Sequence, residues 1–129
     1  MIVHPEAQET RAGWVWLEEQ NIIRFRAKPG IDQTADDARV HTTRAQQIMG
    51  SERYRLVVDF RGSSALSREA RAEYSRPEVA RGIMAMAVLV DTTGSRILGN
   101  LFMTLNRGKI PTRIFTDERL AIAWVTRYD

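Results

Sequence analysis

Residues 53–73 read RYRLVVDFRGSSALSREARAE, and they contain the strand, the turn and the helix start that decide the fold. The apolar, β-branched run that ends at Asp59 favours a β-strand. Gly62 can adopt a positive φ without the penalty of a Cβ atom, and Ser67 has the side-chain oxygen that caps a helix N-terminus. The stretch therefore predicts a strand, a polar turn and a helix over residues 68–74.

A second strand and helix follow along the chain. Residues 83–90, IMAMAVLV, form an unbroken apolar run that is typical of a strand buried on both faces of a parallel sheet. The next segment has apolar residues at helical spacing, and Gly99 within it is expected to let that helix approach a neighbour closely. A short strand at residues 112–115 and a last helix capped by Thr116 complete the pattern.

Two short runs near the N-terminus, residues 14–17 and 22–27, have the spacing of a β-hairpin and are expected to pair antiparallel. The side chains of Trp14 and Trp16 in the first run and Phe25 in the second are expected to line one face of this hairpin. Core packing is the favoured use of these rings, and a ligand platform is the alternative.

A helix over residues 34–49 should follow the hairpin and end at Gly50, and residues 1–12 show no periodicity and are expected to form a loose lead-in. The resulting order of elements is β-β-α-β-α-β-α-β-α. It predicts a single α/β domain over residues 1–129, in which an N-terminal hairpin and alternating helices and strands form a mixed five-stranded sheet.

The amino-acid composition is typical of a soluble protein with a single domain. The chain has 129 residues, of which 43% are hydrophobic and 27% charged, as is ordinary for one soluble domain with its own core. Its apolar runs are shorter than the roughly 20 residues of a membrane span. The first residues lack the basic start and long apolar segment of a secretory signal, so we expect a cytoplasmic protein.

Charge and residue supply argue against nucleic-acid binding and catalysis. The net charge is +3, but 19 basic residues are interleaved with 16 acidic ones, a pattern that favours a solvated surface. Cysteine is absent, and the two histidines are His4 near the N-terminus and His41 in the middle of a helix, where a surface position is expected. Neither a thiol nucleophile nor a multi-histidine metal site can be assembled, so we predict no enzyme activity, cofactor or tightly bound metal.

Two polar turns remain as a candidate site. They follow adjacent parallel strands, and their side chains are Asp59, Arg61, Ser67, Thr93 and Ser95. Ligands of open α/β sheets bind at the carboxyl ends of strands, where helix N-termini converge. These residues are therefore predicted to bind a partner or an anion, and the alternative is that they only cap helices. Because Arg61 is expected to be exposed, Arg61→Ala should weaken partner binding and change stability little.

Four stretches carry a resemblance to a known family: VVDFRGSSALS at residues 57–67, PEVARGIMAMAVLVD at 77–91, SRILGNLFMTLN at 95–106 and PTRIFTDERLAIAWV at 111–125. Together they resemble the SpoIIAA-like group of STAS-type proteins, bacterial domains of largely unassigned function, over about residues 14–125. The resemblance implies an α/β fold related to the anti-sigma factor antagonists, and more distantly to the lipid-binding SEC14 domain, without enzyme activity.

The resemblance does not extend to the regulatory serine of the antagonists. In those proteins a strand ending Leu-Asp-Leu-Ser-Gly leads to a helix start Asp-Ser-Ser-Gly, whose first serine is phosphorylated. Residues 59–62 match the strand end, whereas Ser67 stands at the position of the motif's Asp and Arg68 at that of the phosphorylated serine.

We therefore predict a non-enzymatic, STAS-like regulatory or protein-interaction module, and the alternative is a carrier or sensor of a small apolar or amphipathic ligand. A buried cavity beneath the helix at residues 97–105 would favour the carrier, and a flat apolar patch on it would favour a protein partner. A homodimer is expected, because Phe102 and Met103 widen the apolar arc of that helix beyond one sheet contact.

Overall fold

The structure, a computed structural model, describes residues 4–62, 65–105 and 110–128. Within these ranges the chain forms strands and helices in the following order: β1 (Gln8–Glu9), β2 (Gly13–Glu18), β3 (Ile22–Ala27), α1 (Ala35–Met49), β4 (Tyr54–Asp59), α2 (Arg68–Tyr74), α3 (Pro77–Ala80), β5 (Ile83–Leu89), α4 (Thr93–Leu105), β6 (Thr112–Phe115) and α5 (Glu118–Val125). The fold is α/β with a mixed sheet, as predicted.

The sheet has six strands, in the order β1-β2-β3-β4-β5-β6, so the predicted count of five is wrong. The additional strand is β1, which pairs antiparallel with β2 and places Gln8 opposite Val15. It lies within the predicted loose lead-in, where Ala12 is buried and Arg11 forms an ion pair with Asp37 of α1. A strand of two residues is too short to show the alternation by which strands are recognised in a sequence.

From β3 onward the strands are parallel and follow one another in space in the order of the chain. Crossover connections between parallel strands are right-handed, so successive crossovers in one direction place their helices on one face of the sheet. Accordingly α1, α2 and α4 contribute to the larger core on one face, and α5 packs on β4 and β5 from the other. Ligand crevices of open α/β sheets form where the strand order reverses, whereas here it runs in one direction.

The central strands β4 and β5 pack on both faces, as the sequence of β5 predicts. Val58 of β4 packs in the larger core, and the neighbouring Val57 packs in the smaller core beneath α5. Gly99 lies where α4 meets the sheet, and a Cβ atom there would be 2.9 Å from Cγ1 of Val90. The close approach expected at this glycine is confirmed.

The hairpin forms, but its aromatic side chains do not share a face. Trp14 pairs with Arg26 and Trp16 with Arg24, whereas Phe25 pairs with Val15. Directly opposed residues of antiparallel strands lie on the same face. The tryptophans therefore lie beside arginines on the α5 side of the sheet, and Phe25 enters the larger core, so the prediction of one aromatic face is wrong.

Helix starts follow the capping rules with one shift in position. Thr34 caps α1 through a capping box, and the Ser67 hydroxyl accepts a hydrogen bond from the backbone N–H of Ala70, as predicted. The last helix is capped by Asp117 and not by Thr116, because the Asp117 carboxylate accepts from the N–H groups of the two residues that follow Glu118. None of the described helices is both long and apolar enough to cross a bilayer.

Candidate functional site

The polar edge predicted from the sequence forms at the end of β4, but its side chains bind one another. Asp59 is only 1% exposed, and its carboxylate accepts from the backbone N of Arg61 at 3.0 Å and from Arg61 Nε and Nη2 at 3.0 and 2.8 Å. Arg61 Nη2 also donates to Glu118 of α5 at 2.8 Å. We call Asp59, Arg61 and Glu118 the strand-end cluster.

Two arginines of the hairpin extend the strand-end cluster. Arg24 lies 3.5 Å from Glu118 and 3.3 Å from Glu18, and Nε of Arg26 lies 3.8 Å from the Asp59 carboxylate. The hydrogen bonds that Arg61 donates to Asp59, and to a smaller extent the one it donates to Glu118, raise the pKa of Arg61 above its ordinary value. A buried carboxylate is tolerated when nearby cations compensate its charge. The same ion pairs connect the hairpin, β4 and α5. The expectation that Arg61 is an exposed, unengaged side chain is wrong.

The second predicted turn, after β5, is closed by its own hydrogen bonds. The buried hydroxyl of Ser95 accepts from the backbone N–H groups of Asp91 and Thr92 at 2.8 and 2.9 Å, and it donates to Asp91 Oδ1 at 3.0 Å. The backbone N of Gly62 also donates to Asp91 Oδ1, which links the two turns and lowers the pKa of Asp91. Thr93, the first residue of α4, is exposed.

The five predicted site residues thus occupy three places. Asp59 and Arg61 contact each other at the end of β4. Thr93 and Ser95 lie at the start of α4, where Asp91 links Ser95 to the turn after β4. Ser67 caps α2, and its backbone N donates to the carbonyl of Gln33, so it is engaged on the helix side of the sheet. Binding of a partner or anion at this edge stays a prediction, and the main visible use of these groups is structural.

A different feature lies inside the larger core. A cavity of about 50 Å³ lies between the sheet and the helices. Its walls include Val58 of β4, Met86 of β5, Ala45 of α1 and Val79 of α3. Phe102 of α4 also lines it. A cavity beneath α4 was expected of a ligand-binding domain; this one meets α4 at Phe102 and is lined more fully by α1, through His41, Thr42 and Ala45.

Five rings form a closed circuit at this cavity, and we call them the aromatic collar. The ring centroids of Phe25 and His41 lie 4.3 Å apart, those of Tyr74 and Phe102 and those of Phe102 and Phe60 both 5.2 Å, and those of Phe60 and Phe25 6.5 Å. A hydrogen bond of 2.9 Å between His41 Nδ1 and the Tyr74 hydroxyl closes the circuit. All five rings line the cavity.

The polar atoms of the collar are engaged away from the cavity. The Tyr74 hydroxyl donates to Oε1 of the buried Gln33 at 2.6 Å, and Nδ1 of His41 lies 2.9 Å from the same hydroxyl. The other ring nitrogen, Nε2, lies 2.9 Å from the Thr10 hydroxyl. Both ring nitrogens of the buried His41 thus lie within hydrogen-bond distance of hydroxyl groups of the chain.

His41 is buried, so its predicted surface position is wrong. Burial lowers the pKa of His41 to about 4, with a smaller lowering by Arg44 and an opposing effect of Asp37, so the ring is neutral at physiological pH. Burial also raises the pKa of the Tyr74 hydroxyl. The sequence contained a signal for this position, because His41 lies three residues after Ala38 and four before Ala45 on the apolar face of α1.

Across the described part of the chain, His, Asp and Glu side chains do not form a group of three that could hold a metal ion. The absence of tight metal binding stays a prediction from the residue supply.

The sheet order and the placement of the helices define an α/β domain of the SpoIIAA-like type. A solved structure supports this class: an uncharacterised protein of the DUF3478 family with a SpoIIAA-like fold, from Shewanella loihica PV-4, superposes with a TM-score of 0.64 at 13% identity. The match covers 88% of this chain and 92% of that one. At this identity the similarity shows the fold alone.

The chain belongs to the family described as a domain of unknown function, DUF7793, whose model matches residues 15–129. A protein with unknown function from Arthrobacter sp. FB24 is 32% identical, with coverage of 86% of this chain and 96% of that one and a TM-score of 0.35. A comparison with curated proteins gave no match.

The strand-end cluster generates a prediction about stability. Arg61→Ala leaves the buried Asp59 carboxylate with the backbone N–H of residue 61 and, as its nearest cation, the more distant Arg26, so the free energy of unfolding should fall by about 2 kcal/mol or more. Urea denaturation measures this fall. Arg119→Ala, which removes an exposed arginine of α5, is the control and should change stability by less than about 0.5 kcal/mol. Equal effects of the two changes would show that Arg61 is not needed to compensate Asp59.

The buried histidine generates a prediction about pH. His41 has a pKa of about 4 in the folded chain against 6.5 when unfolded, so its contribution to stability is complete above pH 6.5 and is lost as the pH falls towards 4. Between pH 7.5 and 5 the loss should be about 2 kcal/mol. Asp37, with a pKa of about 2 that is lowered chiefly by its hydrogen bond with Arg11, acts only in a more acidic range.

Urea midpoints of the wild type and of His41→Gln at pH 7.5 and 5 measure this difference. The variant should lose most of the pH dependence, whereas His4→Gln, which changes the other histidine, should retain it. If His41→Gln keeps the full dependence, another group is responsible for it.

Proposed function

We propose that this chain is a non-enzymatic carrier or sensor that binds a small apolar molecule in the cavity between its sheet and helices. The observation that supports the proposal is the cavity itself, which has apolar and aromatic walls and lies between the sheet and the helices. Apolar cavities of proteins stay dry and accept apolar guests, because water would lose hydrogen bonds on entering them. A largely apolar pocket within a domain is the usual form of a small-molecule site.

The use of the polar side chains supports a role without catalysis. The acidic, basic and hydroxyl groups most suited to chemistry are Asp59, Arg61, Ser95 and His41, and each binds other groups of the chain. A general base or nucleophile must instead be within reach of a bound substrate.

The size of the cavity indicates how a ligand would enter. An engineered cavity of about 150 Å³ binds benzene, so a cavity of about 50 Å³ must expand to accept a molecule of that size. Helix α3 is the wall best able to move, because it is a single turn whose residues are all at least partly exposed. Its Val79 and the flexible Met86 on the opposite wall both line the cavity.

A cavity-filling variant tests the proposal. Ala45→Leu places a larger side chain from α1 into the cavity, and filling about 50 Å³ is worth about 1 kcal/mol. The variant should therefore melt a few degrees higher than the wild type if it packs without strain. In thermal shift measurements with benzene, toluene and indole, the wild type should be stabilised by ligand and Ala45→Leu should not.

Gln46→Leu is the matched control, because it adds a leucine at the neighbouring exposed position of the same helix. It should respond to the ligands as the wild type does. Organic extracts of the wild type and Ala45→Leu purified from cells, compared by mass spectrometry, then identify a natural ligand as a compound present only in the wild type. Equal responses of the wild type and Ala45→Leu would place the binding elsewhere and refute the proposal.

One observation favours a second function, a regulatory or protein-interaction module that works as a homodimer. Ile97 of α4 is 65% exposed, although Leu98 and Phe102 of the same helix are buried. Exposed apolar side chains on a helix that already packs on the sheet suit contact with a second copy of the chain.

A change at Ile97 tests the homodimer. Light scattering of the wild type at high concentration should give the mass of a dimer, and Ile97→Glu should give that of a monomer. Leu120→Glu is the control, because Leu120 is 60% exposed on α5 at the opposite face of the sheet. A monomer mass for the wild type would contradict the prediction.

A further inference from the structure

We propose that the molecule bound in the cavity is a small, neutral, aromatic compound, and that the aromatic collar selects it over aliphatic compounds of the same size. This inference rests on the proposed function, because it specifies the ligand of the same cavity. It is supported by the arrangement of the rings, by their polar partners and by their origin in different elements of the fold.

The rings of the collar meet at tilted and edge-on angles. The planes of Phe60 and Phe102 are inclined by 62°, those of Tyr74 and Phe102 by 56°, and those of Phe25 and Phe60 by 76°. Aromatic pairs prefer edge-to-face and offset contacts, because the electron-rich face of one ring attracts the positive edge of another. An aromatic guest can continue this pattern with several rings at once, whereas an aliphatic guest gains dispersion alone.

The collar also favours a neutral guest. The ring nitrogens of His41 and the hydroxyl of Tyr74 bind each other, Thr10 and Gln33, so they are already satisfied without a ligand. A charged group that entered the cavity would lose its hydration and find no counter-ion among the carbons of the described walls. The site therefore suits an uncharged ring with few or no polar substituents.

The rings of the collar come from both layers of the fold. Phe25 belongs to β3, and Phe60 directly follows β4, where its backbone N donates to the carbonyl of Leu89 of β5, whereas Tyr74 and Phe102 belong to α2 and α4. A guest ring between the two pairs would contact the sheet and the helix layer together. The affinity for the guest would thus depend on the position of the helices relative to the sheet.

Benzene and cyclohexane separate the two kinds of guest, because both are apolar six-membered rings and only benzene is aromatic. Cyclopentane, an aliphatic ring closer to benzene in volume, is the control for size and should bind no more tightly than cyclohexane. The methyl group of Met86 lines the cavity and, labelled with ¹³C, reports occupancy by NMR, while the methyl group of the partly exposed Met103 is the control signal. Benzene should bind about two- to tenfold more tightly than cyclohexane to the wild type. Toluene and methylcyclohexane should show the same preference.

Two variants assign the preference to the collar. Phe102→Leu should bring the affinities for benzene and cyclohexane closer together, and Ile83→Leu, a change of similar volume at a non-aromatic wall position, should leave the preference intact. The comparison within the wild type decides the question even if Phe102→Leu fails to fold. Equal binding of benzene and cyclohexane overturns the aromatic preference and leaves the proposed function standing, whereas no binding of either overturns both.

Discussion

The handedness of the crossover connections determines how the two sides of this sheet differ. Because β3 to β6 follow one another in a single direction, right-handed connections place α1, α2 and α4 on one face. The other face is left to α5 and to the outer side of the hairpin. One side of the sheet is therefore a thick layer of helices with apolar walls, and the other is a thin layer in which charged side chains must cover part of the sheet.

The thin side is held by compensated charge. Asp59 lies at the end of a central strand, where its carboxylate is almost wholly buried, and the guanidinium groups around it compensate its charge. Glu118 brings the start of α5 to the same cations. From the sequence alone, Asp59 and Arg61 are predicted to form a polar edge that binds a partner. In the structure, their ion pairs connect α5 and the hairpin to the sheet.

The sequence predicted the elements more fully than the contacts between them. Periodicity and capping chemistry are local, so the starts of α1 and α2 and the buried strand β5 were predicted correctly. Local rules cannot supply the register of the hairpin, which places Trp16 opposite Arg24, or the pairing of the two-residue strand β1. They also could not show that His41 would find Thr10 and Tyr74, because these partners lie 31 and 33 residues away along the chain.

The thick side departs from the rules of stable packing at the cavity. The unfilled volume there costs about 1 kcal/mol, and the same region buries a histidine that must stay neutral. Each departure by itself is common in natural proteins, which are rarely at their stability optimum. Here both occur at the aromatic collar. Sequences tend to break packing rules at functional sites, so this coincidence favours the cavity over the strand-end cluster as the place where the domain acts.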